Sequence, residues 1–468
     1  MKSLYQHLKE YGESDFYGFH MPGHKRNVNM MGAELPYQID ITEIEGFDDL
    51  HHPAGIIGQA QDRAARVYQA EETHFLVNGS TVGILSAIMG TVNRGEKILA
   101  ARNCHKSVYN AIRLKELEPV YLYPRFREDL CLNGELAAED VKQALDAEPD
   151  IKAVVIVSPT YDGVVSDIPA IAAAAHDRQI PLIVDEAHGA HLGFHEYFPE
   201  NGNGRGADIV IHSLHKTLPA LTQTALLHMN GSLVKRKQIR QYLQMLQSSS
   251  PSYILMAGID ACIEMMEVKG KDVFNRYVCR LNETRKELSK LNSLKLIETE
   301  CYDYSKIVIS VQNTDITSKE LYCRLLEEYH LQMEMAAGTY VLAMTAPGDT
   351  AEGFQRLVRA LKEIDAGLSG SGNVQKPGML PVLERVYTSA EAGRISAESD
   401  CVKRIPWEAS EGYVALESAY LYPPGSPLIV PGERISKEVI GLLDRYRTLQ
   451  FEIRGLTEEG KIEVLMNG

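Results

Sequence analysis

The sequence is short of several things, and each shortage excludes a class of protein. Its seven cysteines, at 104, 131, 262, 279, 301, 323 and 401, are scattered, and no two stand as CxxC. That pattern argues against a zinc site or a disulfide framework, and dispersed thiols read as buried and free in a reducing compartment. Positive charge is also short: the 468 residues carry a formal net charge of −15. A general nucleic-acid partner is therefore not expected, because phosphate binding needs a positive footprint. An acidic chain suits a cationic small substrate better. No apolar run is long enough to cross a bilayer. The opening MKSLYQHLKEYGESD has no apolar core of signal-peptide length. The expectation is a cytoplasmic protein with no membrane partner, no internal repeat and no low-complexity tract.

What remains is ordinary globular material, 44% hydrophobic and 24% charged, long enough for several domains. Residues 1–55 read as a polar, irregular arm with a short helical stretch near Leu4 to Tyr11. A loop of that length without regular structure is functional or disordered. From 56 to 300, short β-branched runs such as AVVIV and PLIVDEAH alternate with helical stretches such as IPAIAAAAHDR. Strand–helix alternation predicts an α/β fold with a mainly parallel sheet and helices on both faces. From 301 to 365 the order changes to strand, helix, two strands (LQMEMAA and TYVLAMTA), helix, which predicts a small α+β domain. The Gly/Ser/Pro-rich stretch at 366–378 reads as a linker, and 379–468 as a C-terminal α+β module.

The chemistry gathers at the ends of the predicted strands, where α/β proteins place their ligands. VNGSTVGILSA puts Asn78, Gly79, Ser80 and Thr81 at the start of a helix, where free N–H groups and hydroxyls can receive an anion. Taken alone, this is an ordinary helix cap. ARNCHKS puts His105 just after KILAA. SPTYDG puts Thr160 and Asp162 after AVVIV. DEAHGAH puts Asp185 at the end of a very apolar strand, a costly position for a carboxylate without a cationic partner, with His188 three residues on. HSLHKTLP puts Ser213, His215 and Lys216 after ADIVI. An anion cradle, a flat ring, a buried acid and a lysine together match what pyridoxal 5′-phosphate requires: phosphate donors, a stacking surface, a carboxylate at the pyridine nitrogen and an amine for the aldehyde. Lys216 is the candidate covalent anchor.

In order along the chain, FHMPGHK, DITE, DDLHHPAG, NGST, NCHKS, SPTYDG, DEAHGAH, HSLHKTL, SSSPSY and YPPGSPLIVPGE resemble the ornithine/lysine/arginine decarboxylase family of fold-type-I pyridoxal-phosphate enzymes. The resemblance runs from residue 19 to about 433. It implies an aspartate-aminotransferase-like large domain, and YPPG with PGE belongs to the family's C-terminal module. It further implies that Ser80, Thr81 and Ser213 contact the phosphate, His105 stacks on the ring, and Asp185 pairs with the pyridine nitrogen. His188 and His215 then lie near the Schiff base formed by Lys216. Ser248 or Ser249 is expected to reach the phosphate of a second subunit, in a homodimer or larger homo-oligomer with shared sites. The chain begins almost at HMPGHK, as in the shorter biosynthetic form without an N-terminal wing domain. His188 stands where some members have a tryptophan.

The implied reaction is decarboxylation of arginine, lysine or ornithine in polyamine-type metabolism. His215 or Lys216 is the candidate proton donor to Cα. A buried substrate cation needs a carboxylate, and Glu43, Asp48, Asp49 and Glu417 are the candidates. The competing expectations are an aminotransferase or lyase on the same fold and a non-catalytic cofactor-binding paralogue.

Overall fold

The computed structural model describes residues 14–19, 25, 27, 43, 47–369, 378–398, 401–422 and 425–466. The helical stretch expected near Leu4, most of FHMPGHKRN and DITEIE, most of the linker, and Pro423 with Pro424 lie outside the described residues.

A short first strand, Tyr17–Phe19 (β1), is followed by helix Ile56–Val67 (α1), strand Glu72–Leu76 (β2), helix Gly79–Thr91 (α2), strand Lys97–Ala101 (β3), helix Lys106–Leu114 (α3) and strand Glu118–Leu122 (β4). Strand Ile151–Val157 (β5), helix Ile168–His176 (α4) and strands Leu182–Asp185 (β6), Ile209–Ser213 (β7) and Ala225–Met229 (β8) come next. These build a seven-stranded sheet in the order β2-β8-β7-β6-β5-β3-β4. Its inner ladders are parallel, and β8 runs antiparallel to both β2 and β7. The fold is thus α/β with a mixed, mostly parallel central sheet. The inner strands are buried along almost their whole length, which is why they appear in sequence as unbroken apolar runs rather than alternations.

A 36-residue helix, Tyr253–Leu288 (α5), is capped by the Ser252 hydroxyl on Leu255 N–H. It leads to a four-stranded antiparallel sheet of Lys295–Ile297 (β9), Lys306–Ser310 (β10), Met335–Ala337 (β12) and Tyr340–Met344 (β13). The sheet begins six residues before 301, because the three-residue KLI strand is too short to carry a periodicity signal. LQMEMAA, expected to be one strand, is split. Leu331–Met333 (β11) pairs with β1 in parallel, whereas β12 pairs with β13. Glu334 stands at the break. The split also changes the reading of the arm, which was expected to be irregular. Tyr17–Phe19 is ordered strand against its own chain, with Phe19 buried and the Tyr17 hydroxyl donating to Asp349 Oδ1 at 2.8 Å. Helix Ala351–Ala366 (α6) ends where the linker was expected to start.

Beyond residue 378 two three-stranded sheets, with Val402–Pro406 and Pro427–Ile429 at their respective edges, pack with helix Lys437–Thr448 on a separate apolar cluster. This part is bolted to the central sheet by a buried ion pair. Arg102, just after β3, is 1% exposed and Glu433 2%. Arg102 also donates to the carbonyls of Pro427 at 2.6 Å and Leu428 at 3.2 Å. In the PGE stretch Gly432 has φ +95°, and a Cβ there would lie 2.2 Å from the Tyr387 carbonyl. Only glycine fits at that approach. The thiols divide: Cys104, Cys131 and Cys262 are buried, while Cys279, Cys301 and Cys401 are exposed, contrary to the uniform burial expected. A thiol is only weakly polar, so its exposure costs little either way.

Candidate active site

The C-terminal ends of β3, β5, β6 and β7 and the N-terminus of α2 meet at one edge of the sheet. Ser80, Thr81, His105, Asp185, His188, Ser213, His215 and Lys216 all line a single cavity of about 400 Å³ there. Thr160 and Asp162 line it too. From the last part of the chain come Tyr422 and Ser426. The Ser426 hydroxyl donates to the Asn103 carbonyl at 2.9 Å, and Lys106 N–H donates to the Gly425 carbonyl at 3.2 Å.

Each wall has a distinct polarity. At the α2 end Gly79 adopts φ +75°, and the Asn78 side chain makes no cap. The first-turn N–H groups, which no helix can satisfy internally, therefore stay available beside Ser80 and Thr81. Ser213 is wholly buried at the end of β7, yet its Oγ has no partner among the described residues. A buried hydroxyl in that state calls for a ligand. His105 is held by its own helix cap: its Nδ1 meets the Ser107 Oγ at 2.9 Å. Burial, reinforced by the charge of Lys216, brings its pKa down to about 4, leaving a flat, neutral ring at neutral pH. Asp185 is 3% exposed and its Oδ1 accepts from Ala187 N–H at 3.2 Å. Burial pushes its pKa up, and Lys216 partly opposes that. Such a carboxylate would be stabilised by a cationic ring N–H.

Lys216 Nζ lies 2.9 Å from His188 Nε2. Burial brings the lysine down to about 8 from its ordinary 10.5, with Asp185 and Glu334 pulling the other way. Far more of it than of an ordinary lysine is therefore free amine near neutral pH, the form that attacks an aldehyde. His188 is itself pushed well below its usual value by burial and then by Lys216, and its Nδ1 is a second buried polar atom without a partner among the described residues. The Tyr161 ring packs on it at 4.5 Å. Below it, the buried Lys306 donates to Asp303 Oδ2 at 2.7 Å, with the His188 carbonyl 3.5 Å away. His215 Nδ1 bonds the Thr224 carbonyl at 3.0 Å.

Two site features escaped the sequence. Glu334 lines the cavity and accepts from the Tyr161 hydroxyl, while the Tyr340 hydroxyl donates to Asp162 Oδ1. Tyr161 and Asp162 follow β5, whereas Glu334 immediately precedes β12 and Tyr340 begins β13 of the four-stranded sheet. The two tyrosine–carboxylate bonds thus cross between the sheets in opposite directions. Burial pushes Asp162 up to about 6. The one signal for Glu334 was an acid among the apolar residues of LQMEMAA.

Other expected residues lie elsewhere. Ser248 and Ser249 sit on an exposed loop after the helix Arg236–Leu246, outside the cavity, with the Ser248 carbonyl 2.8 Å from His51 Nε2. Of the carboxylates considered for a substrate cation, Asp48 is taken up by the N–H groups of Asp49, Ala54, Gly55, Ile57 and Gly58 at the start of α1. Asp49 bonds His51 N–H and His52, and Glu417 bonds Thr457 and Glu463 N–H. None of these, nor Glu43, lines this cavity. Asp48 and Asp49, short acidic side chains next to turns, satisfy local backbone donors first, while Glu417 is claimed by donors 40 and 46 residues on.

A serine with no partner among the described residues, a lysine of lowered pKa, a buried carboxylate and a helix end without a side-chain cap fit a phosphorylated pyridine aldehyde. Together with the sheet they define a pyridoxal-phosphate enzyme of the aminotransferase-like class. The overall fold is similar to the alanine–glyoxylate aminotransferase of Nostoc sp., at TM-score 0.56 and 13% identity over 73% of this chain and 92% of that one. A closer likeness is to the constitutive lysine decarboxylase of E. coli, at TM-score 0.78 and 21% identity over 98% of this chain and 81% of that one. In sequence the chain is 33% identical to the arginine decarboxylase of Bacillus subtilis (strain 168) over 457 residues, 94% of this chain and 92% of the relative. Residues 2–354 match the Orn/Lys/Arg decarboxylase major domain, and 373–460 match that family's C-terminal domain. The chain belongs to the Orn/Lys/Arg decarboxylase family and is a pyridoxal-phosphate-dependent amino-acid decarboxylase.

Proposed function

We propose that this enzyme decarboxylates a basic L-amino acid, arginine, lysine or ornithine, to the corresponding amine, as a cytoplasmic step of polyamine-type metabolism. The observation that supports the reading is one shared cavity, in which the Lys216 amine and the Asp162 and Glu334 carboxylates are wall residues together. The first suits an aldehyde cofactor and the other two suit a distal cation, which must meet a counter-charge once out of water.

In this reading the α2 N–H groups with Ser80, Thr81 and Ser213 bind the phosphate. His105 offers its neutral face to the pyridine ring. Asp185 would hold a proton on the ring nitrogen, and the Lys216 amine would anchor the aldehyde carbon. Bound there, pyridoxal phosphate supplies an electron sink for the pair left behind as CO2 departs. Lys216 Nζ, 2.9 Å from His188 Nε2, can share a proton with it, and Lys216 or His215 would return a proton to Cα. Asp162 and Glu334 receive the ammonium or guanidinium, oriented by Tyr340 and Tyr161. Ser248 and Ser249 complete the phosphate site of a second copy in a homodimer, which accounts for their exposure in a single chain.

The test is a decarboxylation assay with arginine, lysine and ornithine in the presence of pyridoxal phosphate. Release of CO2 with agmatine, cadaverine or putrescine is expected for at least one of them. An oxo acid as product, or no turnover with all three, would sink the proposal.

A further inference from the structure

Behind Asp185 and Ser213, on the opposite face of the sheet, runs a chain of buried polar side chains that the reaction does not use. Glu186 Oε2 meets His212 Nε2 at 2.7 Å. His212 Nδ1 meets His228 Nε2 at 3.0 Å, and His228 Nδ1 meets Thr73 Oγ1 at 2.7 Å. The chain crosses the neighbouring strands β2, β8 and β7 and ends on the residue just after β6. Glu186, His212 and His228 are wholly buried, and Thr73 is buried as well.

Strand alternation explains why it lies there. Asp185 pairs with Ile211 in the β6–β7 ladder, so Asp185, Ile211 and Ser213 share one face, and Glu186 and His212 turn to the other. Each cofactor-facing residue is thereby the chain neighbour of a relay member: Asp185 of Glu186, Ser213 of His212. The donors run in one direction. A carboxylate only accepts, so His212 Nε2 carries a hydrogen. With one proton per ring, His212 Nδ1 accepts from His228 Nε2–H, and His228 Nδ1 accepts from the Thr73 hydroxyl. Burial keeps His228 neutral. Tyr68 closes the layer, its ring 4.8 Å from His212 and 4.9 Å from His228. Glu186 is clamped: Gly202 N–H donates to Oε2 at 3.0 Å, and a Cβ on Gly189 would lie 2.5 Å from Glu186 Cγ. Its Oε1 has no partner among the described residues.

Four apolar side chains would fill this layer without the desolvation of a carboxylate that keeps one oxygen unbonded. We propose that Glu186, His212 and His228 form a positioning relay that fixes the β6 and β7 ends, so that Asp185 and Ser213 stand at the spacing set by the ring nitrogen and phosphate of one bound cofactor. The charge of Glu186 also adds a little to the upward push that burial gives Asp185. This inference rests on pyridoxal phosphate as the ligand of the cavity.

The test measures the dissociation constant of pyridoxal phosphate from the full-length protein by titrating the visible band, alongside thermal unfolding of the cofactor-free form. Glu186→Gln keeps the shape and removes the charge. His228→Leu breaks the chain, and His228→Gln restores a donor to His212. Glu186→Gln and His228→Leu are expected to weaken cofactor binding by about tenfold or more, the scale of a lost charge-assisted hydrogen bond. His228→Gln is expected to recover most of the loss. A purely structural layer would lower the melting temperature and leave the dissociation constant and the band unchanged, which overturns the relay. If Glu186→Gln does not fold, the Leu and Gln variants at 228 decide alone, and equal affinities refute the idea. A wild-type chain that takes up no pyridoxal phosphate would remove the cofactor assignment and the relay together.

Discussion

Glu334→Gln is the sharpest probe of substrate choice. The amide keeps the size of the side chain and an oxygen that can accept from Tyr161, so the wall should hold its shape while losing one charge. A cation about 4 Å from a carboxylate gains roughly 4 kcal/mol at an effective dielectric near 20. Stripping water from the cation takes back part of that. A net loss of about 2–3 kcal/mol corresponds to roughly 30- to 150-fold in KM. The assay compares steady-state decarboxylation of lysine with norleucine, or arginine with citrulline, pairs that differ in the distal charge. The variant should lose efficiency with the cationic member alone, with the cofactor band intact. Asp162, pushed up to about 6 by burial, adds a pH signature. As pH falls through that value it becomes neutral, so kcat/KM for the basic substrate should drop on the acid side, and Asp162→Asn should remove that limb. If Glu334→Gln keeps the wild-type KM and the same preference for the charged member, the substrate cation is held elsewhere, and the reading of the substrate as a basic amino acid stands apart from that result.

Three other substitutions and one mixing experiment probe the remaining parts. Lys216→Ala should abolish the visible band of the lysine-bound cofactor and leave the fold intact; a variant with both band and activity would refute the anchor. Asp185→Asn should cost about a hundredfold or more in turnover, at roughly 1.4 kcal/mol per tenfold; near-normal turnover would remove Asp185 from the chemistry. Glu433→Gln leaves Arg102 buried without its counter-charge, and a cost of about 3–5 kcal/mol is expected, read as a lower denaturant midpoint; an unchanged midpoint would show that the pair does not hold the C-terminal part in place. Mixing inactive Lys216→Ala chains with chains inactivated at Ser248 and Ser249 should restore some activity if sites are shared, because one site in each hybrid dimer is whole; hybrid dimers without activity would refute sharing.

The legible parts of this protein were those whose chemistry is local. A lysine two residues after Leu214, or an acid closing an apolar strand, announces itself within one short stretch, because a parallel α/β sheet delivers its strand ends to a common edge. Eleven of the twelve residues singled out at the strand ends, all but Asn78, do line one cavity. What stayed hidden depends on which distant faces meet. Glu334 was read as part of one strand, and its place in the wall follows from a break between β11 and β12, each pairing with a different partner. Arg102 and Glu433 are 331 residues apart, and no spacing rule links them. Asp48 and Glu417 had the right charge for a substrate cation, but nearby backbone N–H groups claim them.

The relay behind the site shows the same limit from the other side. Glu186 and His212 sit inside the two most informative motifs, DEAHGAH and HSLHKTL, yet alternation turns them away from the chemistry that makes those motifs recognisable. A motif read as a string merges two faces of a sheet into one line. The register of β6 against β7 separates them, assigning Asp185 and Ser213 to the cavity and their neighbours to the layer beneath. Residues of one motif can therefore be constrained for two physical reasons: some because they touch the ligand, others because they hold the backbone that does. Substituting Asp185 and Glu186 one at a time, with turnover and cofactor affinity measured separately, distinguishes the two.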